Sequence, residues 1–171
     1  MDFYASISEV IDLRSFSNLW FWIALAVMWS TVSHWVMGVP WDLVQRARWR
    51  GGPAGEDVHQ LARIYAARLR HMGSSAGAWL VGVVAFLLTT LGLLGFVYGL
   101  EFAQALLCLM LPMTLVGALS LHTAARIEPL EGPALYRALA SHRRRVQALG
   151  VVSIFVTAMW GMYQNLRIGV L

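Results

Sequence analysis

Residues 76–121 read AGAWLVGVVAFLLTTLGLLGFVYGLEFAQALLCLMLPMTLVGALSL, and this stretch decides the fold. It holds 46 residues and one acid or base, Glu101. As one helix it would be about 69 Å long at 1.5 Å per residue, more than twice the roughly 30 Å hydrocarbon core of a bilayer. It must therefore fold back on itself. Tyr98, Gly99, Leu100 and Glu101 form the natural turn. Glycine permits a tight reversal, and an acid at the start of the next helix complements its dipole.

Working outward, two more runs lack Asp, Glu, Lys and Arg. They are residues 15–41 and 146–166. The reading is an all-α integral membrane protein with four transmembrane helices in a bundle. The expected spans are 18–40, 75–98, 102–122 and 147–165, joined by loops at 41–74 and 123–146. A lone strand cannot cross lipid, because its backbone groups would lack partners. Composition agrees. The 171 residues are 58% hydrophobic and 13% charged, with a mean hydropathy of +0.62. Soluble domains are about 25% charged. Disordered chains, collagen-like repeats and disulfide scaffolds are excluded, and residues 1–171 read as a single membrane domain.

The basic residues are 13 arginines and no lysine. Eleven of them lie in the segments 42–70 and 126–145. The positive-inside rule places both segments in the cytoplasm. Both termini and the Glu101 turn then face the periplasm of a bacterial inner membrane. The N-terminus carries Asp2, Glu9 and Asp12 against Arg14, so it lacks the basic region of a signal peptide. Trp20, Trp22, Trp35, Trp41, Trp79 and Trp160 fall near the expected interfaces, where indole rings collect. Trp29 falls mid-span and is expected to pack against a neighbouring helix.

Both basic loops are expected to be partly helical. After Gly51, Gly52 and Pro53, the acids Glu56 and Asp57 suit a helix start. Val58, Leu61, Tyr65, Leu69 and Met72 then recur at helical spacing, giving an amphipathic helix that lies in the interface or runs into span two. In the second loop, ALYRALASHRRRV is expected to continue into span four.

Small residues mark expected helix contacts: Gly95 and Gly99 in span two, and Ser153, Thr157 and Gly161 in span four. They serve packing within the chain, contact with another subunit, or self-association. Pro112 is expected to kink span three. Arg46, Arg48, Arg50, Arg143, Arg144 and Arg145 are expected to face anionic lipid or a partner, and simple topogenesis explains them equally. Nucleic acid is not an expected partner.

Five histidines lie on the cytoplasmic side. His34, with His71 or His122, could hold a b-type haem between helices. The competing reading is a bundle-facing or interfacial imidazole. No cofactor is otherwise expected. The single cysteine, Cys108, excludes a multi-cysteine zinc or iron–sulfur site within the chain. No acid or arginine is central to any span, and Gln104 and Gln164 sit near the periplasmic ends. Ion pumping is poorly served. No H-E-x-x-H or P-loop is present, so catalysis has little support.

The stretch Asp12-Leu13-Arg14-Ser15-Phe16-Ser17-Asn18-Leu19-Trp20, continuing through WIALAVMWSTVSHWVMGVPWD, resembles a family of small alphaproteobacterial inner-membrane proteins. Some members are labelled components of the SufBCD iron–sulfur assembly complex. The resemblance implies a membrane partner for a soluble scaffold and carries over no site residues. The expected function is a non-catalytic inner-membrane subunit or accessory factor of a larger complex. The alternatives are a haem- or quinone-binding electron-transfer subunit and a small transporter.

Overall fold

The structure, a computed structural model, describes residues 15–169. The acidic stretch with Asp2, Glu9, Asp12 and Arg14 lies outside the described residues. A short 3-10 turn at Ser15–Ser17 leads into α1, Leu19–His34. The Asn18 side chain caps α1, its Oδ1 accepting from the Trp20 backbone N–H at 3.0 Å.

The first expected span, 18–40, is corrected here. The helix ends at His34, and the chain turns through a two-stranded hairpin, β1 (Trp35–Val36) and β2 (Val39–Pro40). Trp35 pairs with Pro40, and Val36 with Val39. The two turn residues, Met37 and Gly38, have φ of 52° and 81°. Positive φ at both positions is the pattern of a two-residue hairpin turn. For Met37 it costs roughly 1–2 kcal/mol, offset by burial of Val36, Met37 and Val39. Gly38 is required on a second ground: a Cβ there would lie 2.5 Å from the Tyr65 ring. The apolar run had hidden the break, because a buried hairpin is as hydrophobic as a span.

Helix α2, Trp41–Arg50, follows Pro40 directly. Asp42 in its first turn and Arg48 and Arg50 in its last complement the helix dipole. Gly51 and Gly52, at φ of 60° and 62°, break the chain before α3. Helix α3, Pro53–Gly92, starts on its proline and runs unbroken from the arginine-rich segment into the apolar one. Of the two placements open to the amphipathic helix, it therefore takes the second. A wider turn at Leu93–Val97 ends it, the Tyr98 N–H donating to the Leu93 carbonyl five residues back. Gly99 reverses the chain with φ of 73°, and Glu101 opens α4, Glu101–Ile127, as the sequence reading expected. Pro112 lies inside α4 and is buried. Helix α5, Gly132–Gly169, joins the second basic segment to the last apolar run without interruption.

Among the described residues, three helices are long and apolar enough to cross a membrane: Pro53–Val97, Glu101–Ile127 and Gly132–Arg167. Helix α1 is apolar but has 16 residues, about 24 Å of helix. Packing is sequential. Helix α3 lies along α4, α4 along α5, and α5 against α1.

Two cores result. The larger lies at the arginine-rich end and joins the hairpin, α2, the first half of α3, the end of α4 and the start of α5. Val58, Ala62 and Ala66 are its contribution from α3, at four-residue steps. Leu61 and Leu69 of the expected stripe pack beside them, half-buried, and Tyr65, also half-buried, lies against Gly38 of the hairpin. Alanines let the backbones approach; leucines and tyrosine fill the flanks. The smaller core comprises Leu25, Trp29 and Val146, with Leu109, Met113 and Val116 from α4. Trp29 is buried, as expected, and its ring lies 2.8 Å from where a Cβ on Gly150 would stand.

Candidate functional site

A cavity of about 470 Å³ opens where the two cores meet. Its walls come from the end of α1, the hairpin, and the facing sides of α3, α4 and α5. Most of the lining is apolar, including Val32, Leu69, Val116 and Val146, and two guanidinium groups, Arg68 and Arg143, join it. No carboxylate is among the described residues that line it. The volume suits a small-molecule site, which ordinarily spans about 300–1,000 Å³.

Arg143 differs from its neighbours in sequence. Arg46, Arg48, Arg50, Arg144 and Arg145 are all exposed, whereas Arg143 is half-buried. Its Nε donates to the Ser33 carbonyl at 3.2 Å, and its guanidinium lies 4.6 Å from the centre of the Trp41 ring. Both contacts fix its planar head, and among the described residues its terminal N–H groups have no hydrogen-bond partner. Arg46 instead reaches Asp42 at 3.5 Å, four residues back on its own helix. Arg70 pairs with Glu128 through both carboxylate oxygens, tying α3 to the end of α4.

The three histidines expected as haem ligands lie on α1, α3 and α4, and all three are exposed. His34 closes α1 beside Trp35, its Nε2 3.9 Å from an Asp42 oxygen. His71 lies along α3 within reach of Ser75, and His122 is on the exposed side of α4. No hydrogen bond joins any two of them among the described residues, and no group of three His, Cys, Asp or Glu there could hold a metal ion.

The imidazole that the fold buries is His142, 3% exposed and part of the cavity wall. Its Nδ1 lies 3.0 Å from the Thr123 hydroxyl, which already donates to the Leu119 carbonyl at 2.8 Å. The hydroxyl must then accept, so Nδ1 carries the proton in the neutral ring. Nε2 is left 3.4 Å from Ser120, whose hydroxyl donates to the Val116 carbonyl. Sequence reasoning passed over His142 because it sits in a run of arginines. The available signal was its spacing: Leu135, Leu139, His142 and Val146 recur at three- and four-residue steps, and all are buried.

A second polar cluster lies at the opposite end. Gln104 is almost fully buried, and its amide meets three partners at once. Its Nε2 donates to the Gly95 carbonyl at 2.7 Å, and its Oε1 accepts from Trp160 Nε1 at 2.9 Å and from Gln164 Nε2. The widened turn at the end of α3 brings the Gly95 carbonyl to it. Glu101 meanwhile accepts from the Phe16 backbone N–H at 2.7 Å, holding the entry to α1.

The expected packing glycines divide. Gly95 is buried, and a Cβ there would lie 2.9 Å from the Gln104 side chain. Gly99 is corrected: it sits in the turn with no atom near a Cβ position, so the two glycines form no shared helix face. Ser153 and Thr157 line a small apolar cavity against Cys108 and Pro112 of α4. Gly161 faces Phe16 and Trp22 instead. Against family models, curated proteins and solved structures alike, the chain finds no match.

Proposed function

We propose that the chain is a non-catalytic accessory subunit of a bacterial inner-membrane complex, holding a folded basic head against the cytoplasmic face. In this reading α1 is a fourth crossing despite its length. The arginine-rich end is cytoplasmic, and both termini and the Gly99 turn are periplasmic. Trp20 and Trp22 at the start of α1 and Trp35 just past its end let a short span be accommodated by local thinning of the bilayer.

The observation that carries the reading is continuity. Helices α3 and α5, of 40 and 38 residues, each run without a break from the larger core into the apolar segment. A head built on such shafts cannot swivel freely, as one on a glycine-rich linker would. Its outer surface presents Arg48, Arg50, Arg63, Arg144 and Arg145, all exposed. Such a surface recruits acidic partners and steers their approach. The partner we propose is a soluble protein with an acidic face, docked at the membrane. The resemblance to proteins labelled components of the SufBCD complex implies the same class of partner.

Purification at native expression in a mild detergent tests the proposal. The chain should travel in an assembly well above its own 19.0 kDa. Replacing Arg48, Arg50, Arg144 and Arg145 with glutamine should release the partner while leaving the membrane fraction unchanged. A lone chain at native expression, or an assembly indifferent to these four charges, would overturn it.

A further inference from the structure

We propose that the cavity between the two cores is a binding site for one anionic phospholipid, its phosphate held by Arg68 and Arg143 and an acyl chain lying along Val32, Val116 and Val146. The proposal rests on the orientation just given only in drawing the lipid from the cytoplasmic leaflet.

Three features of the cavity point to this chemistry. The first is charge. Two arginines, the exposed Arg68 and the half-buried Arg143, line the cavity, and no carboxylate is among the described lining residues. Among the described residues, neither is in an ion pair; those present join Asp42 to His34 and Arg46, and Glu128 to Arg70. Arg143 is held by Ser33 and Trp41 through Nε and its ring face, so the N–H groups that would fork onto a phosphate remain unspent.

The second is depth. The cavity takes wall residues from both cores: Val36, Met37 and Leu69 from the larger, Val32, Val116 and Val146 from the smaller. It therefore straddles the level at which water-facing packing gives way to apolar helix. That is the level of lipid headgroups, and cationic pockets there take anionic lipid heads.

The third is polarity. A free inorganic anion would gain nothing from the valines, and a neutral apolar ligand nothing from the arginines. An amphiphile with a phosphate head and a hydrocarbon tail satisfies both walls. The volume of about 470 Å³ houses the phosphate and part of one chain, with the remainder lying in the bilayer.

The test is native mass spectrometry on the isolated full chain, reconstituted in equimolar phosphatidylglycerol and phosphatidylcholine and then extracted. It needs no protein partner, so its failure and the failure of the subunit reading are separable. The wild type should retain a single phosphatidylglycerol in preference to phosphatidylcholine. Arg68→Gln with Arg143→Gln should weaken retention about tenfold or more, the loss of charge-assisted hydrogen bonds. Because Arg143 also braces Trp41, a second variant leaves both arginines in place. Val116→Phe should fill the apolar end and expel the lipid equally well. Arg126→Gln with Arg137→Gln, exposed and outside the cavity, should retain it. Equal retention of phosphatidylcholine would overturn the proposal. So would an equal loss from the outside pair, or full displacement of the lipid by inorganic phosphate.

Discussion

The two halves of α3 share one unbroken helix and differ in almost everything else. In the first half, Val58, Ala62 and Ala66 are buried against the hairpin, α2, α4 and α5. In the second, Trp79 is 80% exposed, Phe86 69%, and Val81 and Val83 are exposed with them. Water explains the difference. Removing apolar surface from water drives the first half together. In the proposed membrane setting the second half meets lipid tails as apolar as itself, so association there rests on close packing and hydrogen bonds. The molecule accordingly concentrates its fold-determining contacts in the arginine-rich head. In the apolar segments it uses a few specific devices: Trp29 against Gly150, and the amide of Gln104.

Substitutions in the two regions should sharpen that contrast. The largest effect is expected at the hairpin. Gly38→Val forces a β-branched residue to positive φ and drives its side chain into Tyr65. A loss of about 3 kcal/mol or more is expected, read as collapse of the head in thermal unfolding and rapid proteolysis near Gly51 and Gly52. Next comes Leu139→Ala, at a residue 0% exposed in the larger core. It should cost about 2–5 kcal/mol, measured by pulse proteolysis in micelles.

Gln104→Leu tests the opposite end. It strands the Gly95 carbonyl and the Trp160 indole N–H. Interhelical hydrogen bonds in membranes average about 0.6 kcal/mol each, so a loss of about 1–2 kcal/mol is expected. Tryptophan fluorescence should report the freed Trp160. The smallest effect belongs to Phe86→Ala, which should change stability by no more than about 0.5 kcal/mol. The same truncation in the head would be severe. A large loss at Phe86 in the isolated chain would contradict the division into a packed head and lipid-facing shafts.

How much of this was legible depends on the region. The reversal at Gly99 and Glu101 was readable because a bilayer fixes how far an apolar run can extend. The continuity of the second basic loop with the last apolar run was readable from the lack of a breaker after Pro133; for the first loop, helical spacing showed the helix but left open whether it ran on into the apolar segment. The hairpin at residues 35–40 was not. Trp35, Val36, Val39 and Pro40 are as apolar as a span, and Gly38 alone marks the turn. The tightness of the head was also hidden. Residues 41–74 and 123–146 read as charged loops, since their arginines dominate the composition while Ala62, Ala66 and Leu139 do the packing. The cavity depended on all of these at once. Arg143 stood in a row of three arginines, and only the fold turns it inward onto Trp41. His142 was masked by the same neighbours.

The central claim is that the chain threads the membrane with its packed, arginine-rich head inside the cell and the Gly99 turn outside. Cysteine labelling tests it most directly, in a Cys108→Ala background carrying either Tyr98→Cys or Arg48→Cys, both at exposed positions. With a membrane-impermeant maleimide on intact spheroplasts, the account predicts labelling at position 98 at once and at position 48 only after permeabilisation. The reverse pattern, or both positions labelled from the same side, would contradict it.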